Sequence, residues 1–252
     1  MTVELWHIEI SHYNEKVRWA LDFKGIAHRR RAPLPGFTGP VALVLTRGAQ
    51  RRTPVLRIDG RMIADSTAII AALEDYRPTP PLYPPDADER ERALALEDFF
   101  DEDLAPEIRR FVWAHTLGDA NATAETLMTR SGPAMKRLVR TLVPLMAPAV
   151  RWDYTVNEET GRRARERIVA AMDRVEAELG SHDYLVGGAF SLADLTAAAL
   201  FTPVLCPPGR QYAPPAVSAP VRELRSELEQ RAGGEWVATM FARHRGVSAE
   251  IA

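Results

Sequence analysis

The first third of the chain alternates between strand-like and helix-like spacing of its apolar residues. Residues 3–10 carry Val, Leu, Trp and Ile in loose alternation, which predicts a short strand. From Ser11 onward apolar residues recur at helical intervals up to Gly25, which is well placed to end the helix. A second strand is predicted over residues 27–31, and a short helix followed by a loop within residues 41–52.

The clearest local signal is a β-hairpin. Residues 54–58 and 61–64 both have the composition of short strands. Asp59 and Gly60 between them favour the positive φ angles that a two-residue hairpin turn requires. The sequence therefore predicts two adjacent antiparallel strands here.

The rest of the chain lacks strand alternation. A helix capped by Asp65 or Ser66 ends at a run of prolines, so a first α/β domain is predicted over residues 1–82. After a linker at residues 83–92, helical spacing predicts an all-α second domain over residues 93–252. The predicted helices cover residues 90–105, 107–116, 122–143, 159–179, 192–202, 221–231 and 236–243.

Composition and charge narrow the class of ligand. The 252 residues are 46% hydrophobic and 26% charged, as in a folded globular protein. A formal charge of -2 provides no positive field for a polyanion, so no nucleic-acid partner is expected. The histidines show no metal-ligand spacing, and we expect no metal.

The cellular location is inferred from the shortness of the apolar runs and from the composition of the first residues. No run reaches the roughly 18 residues of a membrane span, and the first residues do not read as a secretory signal. The lone Cys206 cannot form a disulfide within the chain. We therefore expect a cytoplasmic protein with no membrane partner.

Four strings in a fixed order point to a family. They are residues 11–21 (SHYNEKVRWAL), 53–56 (TPVL), 65–69 (DSTAI) and 184–194 (YLVGGAFSLAD). Over nearly its whole length the chain resembles the soluble glutathione transferases, with Ser-His where many members have Ser-Pro or Cys-Pro. The resemblance implies a thioredoxin-like N-terminal domain, an all-helical C-terminal bundle, glutathione as co-substrate and a homodimer.

The first domain could hold glutathione through three elements. A cis bond before Pro54 would turn the backbone of Thr53 outward to pair with the cysteinyl unit, although an ordinary strand-edge proline is the alternative. Ser66 at a helix start could bind the γ-glutamyl carboxylate. Asp65 could accept the ammonium group, while helix capping alone would also explain Asp65 and Ser66.

Ser11 is the leading candidate for chemistry. A hydroxyl at the amino end of the first helix could donate to sulfur and, with the helix dipole, lower the thiol pKa from about 8.5. Helix capping is the alternative role for Ser11. Because His12 stands where proline is common in the family, Asn14 or His12 could face the sulfur instead.

The resemblance places an acceptor pocket between the domains, with the early helices of the second domain on one side. Its aromatic candidates are Phe99, Phe100, Trp113 and Tyr154, drawn from a wider set that includes Phe111 and Trp152. Ser191 and Asp194 form a Ser-x-x-Asp pattern before an apolar run, which we interpret as a structural helix cap.

The leading functional hypothesis is a transferase that conjugates the glutathione thiolate to a small hydrophobic electrophile. A glutathione-dependent isomerase or peroxidase would use the same site. A non-catalytic binding or regulatory module with the same fold is the alternative from another class, because fold alone does not establish activity. Another low-molecular-weight thiol could also replace glutathione.

Overall fold

The α/β part is built on a four-stranded mixed sheet. This computed structural model describes residues 3–34, 36–128, 131–212 and 217–251. The strands are β1 (Val3–Trp6), β2 (Arg29–Arg31), β3 (Val55–Ile58) and β4 (Arg61–Ala64), in the order β2-β1-β3-β4. β1 runs parallel to β2 and antiparallel to β3, and β3 runs antiparallel to β4.

Three helices complete this part, and they are α1 (His12–Phe23), α2 (Thr38–Leu45) and α3 (Ser66–Tyr76). The predicted hairpin is confirmed: Ile58 pairs with Arg61, and the two turn residues have φ angles of 48° and 82°. The first strand is shorter than predicted and ends at Trp6. The next residues form the loop that carries Ser11.

The second part is helical in the described residues. It contains α4 (Ala87–Phe99), α5 (Ala105–Thr116), α6 (Ala120–Leu127), α7 (Pro133–Asp153), α8 (Glu158–Leu179), α9 (Leu192–Leu200), α10 (Thr202–Leu205), α11 (Ala219–Glu229) and α12 (Ala232–His244). A π-helical segment, Phe100–Leu104, joins α4 to α5. None of the described helices is both long and apolar enough to cross a bilayer.

The structure corrects the helix predicted over residues 122–143. It is divided into α6 and α7, and α7 continues through Pro144 and Pro148 to Asp153. A proline inside a helix frees the carbonyl four residues earlier. Both prolines lie on an exposed face, where water can bond the freed carbonyls. The prolines therefore do not end the helix.

One continuous hydrophobic core joins the two parts. Trp19 of α1 is fully buried against Phe190 and Phe241, and α1 packs on both α3 and α9. Its indole N–H donates to the His244 carbonyl at 2.9 Å. This shared core fixes α1 against the helical part, and with it the loop at the amino end of α1.

Candidate active site

A cavity of about 660 Å³ lies between the α/β part and the helical part. The loop between β1 and α1, the segment before β3 and the start of α3 form one side. The π-helical segment, α5, α6 and α7 supply the other side. This is where the resemblance placed the acceptor pocket. A groove of this size between two packed units suits a small-molecule ligand.

Ser11 lies on the cavity wall at the amino end of α1. Its backbone is extended, with φ -75° and ψ 126°, and its side chain makes no capping hydrogen bond to the helix. The Ser11 hydroxyl therefore does not cap α1. Half-buried and facing the cavity, the hydroxyl can donate to a ligand near the positive end of the helix dipole.

His12 is hydrogen-bonded to the helical part. Its ring is buried, and Nε2 lies 3.1 Å from the Ala105 carbonyl, to which it donates. Burial, with a smaller contribution from Arg109, lowers the pKa of His12 to about 3. The ring is therefore neutral at ordinary pH and ties α1 to the start of α5.

Asn14 is fully buried and bonds to the segment before β3. Its Nδ2 donates to Thr53 Oγ1 at 3.4 Å, and its buried Oδ1 has no hydrogen-bond partner. The Thr53–Pro54 peptide bond is cis, as the resemblance implied, and both residues line the cavity. The structure thus brings Ser11, Thr53 and Pro54 to one wall.

Asp65 and Ser66 also line the cavity, at the start of α3. Asp65 Oδ1 accepts from the backbone N–H groups of Thr67 and Ala68 at 3.0 and 3.1 Å, so it does cap the helix. Its φ of 80° with ψ of 132° is rare for an L-residue, and such conformations cluster at functional sites. Ser66 is buried, and its hydroxyl donates to Asp101 Oδ2 at 3.4 Å.

Asp101 belongs to a buried polar cluster that the sequence did not reveal. Lys16 Nζ lies 2.9 Å from Asp101 Oδ2 and also pairs with Glu97, while Thr67 Oγ1 lies within hydrogen-bond distance of both carboxylates. Burial raises the pKa of Asp101, although the charge of Lys16 opposes this shift. Asp101 Oδ1 is buried without a partner, and Asp101 lines the cavity beside Ser66.

The aromatic candidates divide into two groups. Trp113 and Tyr154 line the cavity. The structure corrects Phe99 and Phe100, which pack in or against the core and do not line the cavity. The wider candidates, Phe111 and Trp152, do not line it either, because Phe111 is in the core and Trp152 is 82% exposed.

Two further residues line the cavity, of which the sequence left Tyr13 unassigned and did not indicate Arg109. Tyr13 donates its hydroxyl to the Asp101 carbonyl at 2.7 Å, and burial raises its pKa. Arg109 faces the cavity from α5, with its Cζ 4.2 Å from the Tyr154 ring centroid. No local sequence pattern marks a single arginine within a helix as a site residue. Residues 102, 106, 109, 112 and 113 recur at helical intervals, however, and so lie on the one helix face that lines the cavity.

Comparison with family models matches both parts of the chain. The N-terminal domain model of the glutathione S-transferases matches residues 5–81, and the C-terminal domain model matches residues 158–204. Comparison with curated proteins gave no match. In the described residues, no group of three or more His, Cys, Asp or Glu side chains is arranged to hold a metal.

Solved structures share the fold at low sequence identity. The β-etherase LigF from Sphingobium sp. strain SYK-6 is 20% identical with a TM-score of 0.64, covering 94% of this chain and 98% of its own. Rice GST1, in complex with glutathione, is 19% identical with a TM-score of 0.63 and coverages of 96% and 86%. A glutathione S-transferase from Methylobacterium radiotolerans, in complex with glutathione sulfonate, is 22% identical with a TM-score of 0.53 and coverages of 100% and 98%.

Proposed function

Because the chain belongs to the glutathione S-transferase family, we propose that it binds glutathione in the interdomain cavity and transfers its thiolate to a hydrophobic electrophile. The observation that carries this proposal is the Ser11 hydroxyl. It faces the cavity at the amino end of α1, makes no capping hydrogen bond, and shares one wall with Thr53 and cis-Pro54.

The cysteinyl unit of glutathione pairs with the backbone of Thr53, like an added strand. Its γ-glutamyl carboxylate lies at Ser66, where the amino end of α3 favours an anion. Asp101 accepts the ammonium group, because its carboxylate lines the cavity next to Ser66 and keeps one oxygen, Oδ1, without a partner, whereas Asp65 already caps the helix. The glycyl end then points toward Arg51 and Arg52.

Ser11 stabilises the thiolate. Its hydroxyl donates to sulfur, and the dipole of α1 favours the anion, so the thiol loses its proton to solvent at a lower pH than free glutathione. The thiolate then attacks an electrophilic carbon, and the leaving group departs with its electron pair. His12 and Asn14 are weaker candidates because His12 donates to Ala105 and Asn14 donates to Thr53.

The test is the pH dependence of the bound thiol in wild type and Ser11→Ala. Thiolate absorbance in the ultraviolet should show a raised thiol pKa in the variant, by about one unit or more, and turnover of an aryl halide should fall about tenfold. Ser226→Ala, on an exposed position of α11, is the matched control. An unchanged thiol pKa in Ser11→Ala would remove Ser11 from the mechanism.

Two other outcomes would change the proposed function or its co-substrate. Saturable glutathione binding with no turnover on a broad electrophile panel would favour the non-catalytic module. Thermal stabilisation by a different small thiol, and none by glutathione, would identify another co-substrate, because a ligand of the folded state raises the melting temperature.

The oligomeric state and the cellular location are proposed from the family resemblance alone. The protein is a cytoplasmic homodimer, and light scattering of the purified chain would distinguish a dimer from the 28.1 kDa monomer.

A further inference from the structure

Arg109 is a cavity-lining cation that no carboxylate neutralises. In the part of the chain that the structure describes, its guanidinium forms no ion pair or hydrogen bond, and its Nε is buried without an acceptor. Its Cζ lies over the Tyr154 ring, 4.2 Å from the ring centroid. The terminal N–H groups have no acceptor among the described residues, so they can pair with a planar anion.

The position of Arg109 is fixed relative to the amino end of α1. His12 bonds to the carbonyl of Ala105, and Arg109 lies four residues further along α5, on the same helix face. Arg109 is also close enough to His12 for its charge to lower the pKa of that ring. Arg109 thus lies near the amino end of α1, where Ser11 lines the same cavity.

The other cavity arginines differ from Arg109. Arg51 and Arg52 are exposed, and both pair with Asp153, with a distance of 3.5 Å from Arg52 Nη2 to Asp153 Oδ2. A half-buried cation without such a partner keeps a desolvation cost that a bound anion would relieve. The helical side of the cavity also has an apolar wall, which includes Val112, Trp113, Leu117, Leu127, Met146 and Val150.

We propose that Arg109 binds an anionic substituent of the acceptor, so that the substrate class is a hydrophobic electrophile that carries a carboxylate. This inference rests on the proposed function, since it assigns the acceptor half of the same cavity. The apolar wall packs on the body of the acceptor, and the guanidinium pairs with its carboxylate. The carboxylate is unchanged in the reaction: the thiolate forms the new carbon–sulfur bond, and the leaving group departs with the electron pair.

A binding experiment tests the anion site without requiring turnover. Nitrobenzoate and nitrobenzamide with the same ring pattern carry no leaving group and differ only in the charged substituent. Wild type, with glutathione sulfonate present, should bind the benzoate at least about tenfold more tightly than the amide in calorimetry. Arg109→Met should abolish this preference, and Arg109→Lys should restore part of it.

Arg163→Met is the matched control, because Arg163 is an exposed arginine of α8 that pairs with Glu159 outside the cavity. It should keep the wild-type preference. Equal affinity of wild type for the two probes, or a preference that persists in Arg109→Met, would overturn the proposal. So would a loss of glutathione affinity in Arg109→Met without a change in the preference, since Arg109 would then serve a carboxylate of glutathione.

Kinetics separate this inference from the proposed function. With chloronitrobenzoate and its carboxamide counterpart, Arg109→Met should lower kcat/KM about tenfold for the benzoate and leave the amide within about twofold. Turnover of both probes without discrimination would refute the anion site and support the transferase. No turnover of either probe, with the binding preference intact, would support the anion site and count against the transferase.

Discussion

Asp101 has a buried carboxylate oxygen without a partner beside the proposed γ-glutamyl site. Its other oxygen already accepts from Lys16, Thr67 and Ser66. An ammonium group of the ligand would satisfy the remaining oxygen and form a charge-assisted hydrogen bond. At the scale of one residue, this is why Asp101 is proposed as the acidic group that accepts the amine of glutathione.

We expect Asp101→Asn to weaken glutathione binding about tenfold, because the amide carries no charge to pair with the ammonium. Calorimetry with glutathione and with an analogue that lacks the amine would measure this. The analogue should bind wild type and variant alike. Asp103→Asn, at an exposed neighbouring position, is the control. Equal weakening for both ligands would mean that Asp101 acts only through the fold.

At the scale of the element, hydrogen bonds to Asp194 stabilise the start of α9. Its carboxylate accepts from the backbone N–H groups of Leu185 and Ser191 and from the Ser191 hydroxyl, each at 2.8 Å. The Ser-x-x-Asp pattern predicted this structural cap, and the structure confirms it. Asp194 also ties the preceding loop to the helix, which the pattern alone did not indicate.

We expect Asp194→Ala to lower the free energy of unfolding by roughly 2–4 kcal/mol, because two buried N–H groups lose their acceptor. Ser191→Ala should cost about 1 kcal/mol. Urea unfolding measures both, with Asp183→Ala as an exposed control. The thiol pKa of bound glutathione should not change in either variant. A larger cost for Ser191→Ala than for Asp194→Ala would contradict this account.

Local signals explain which elements the sequence could predict. The hairpin depends on Asp59 and Gly60, and the α9 cap on residues three apart, so both are encoded within a few residues. The continuation of α7 through Pro144 depends on which face is exposed, and that is decided by packing. The pairing of Ser66 with Asp101 spans 35 residues, so no local pattern could have placed Asp101 at the site.

At the scale of the whole molecule, a buried ion cluster ties the end of α12 to α1. Arg245 Nε donates to Glu15 Oε1 at 2.6 Å, and its Nη1 donates to Asp22 Oδ2 at 2.8 Å. Arg18 and Arg30 complete the cluster by pairing with the same two carboxylates. Because Glu15 lies in the first turn of α1, directly after Ser11, this cluster also orients the proposed active site.

Burial alone would raise the pKa of Glu15, but Arg245 and Arg18 outweigh it and lower the pKa to about 2. The unfolded value is near 4.5, so the folded chain binds this proton less readily than the unfolded chain. Its contribution to stability is therefore complete above about pH 4.5 and is lost as the pH falls toward about 2.

We expect Arg245→Met to lower the free energy of unfolding by about 3–5 kcal/mol near pH 7, because Glu15 and Asp22 lose a buried partner. Without Arg245 the pKa of Glu15 rises, so the difference from wild type should shrink as the pH falls below about 4.5. Urea unfolding from about pH 3 to about pH 7 would measure it. Arg243→Met, on an exposed face of α12, should show no such trend. A difference that stays constant with pH would mean that Arg245 stabilises the fold by packing rather than by its charge.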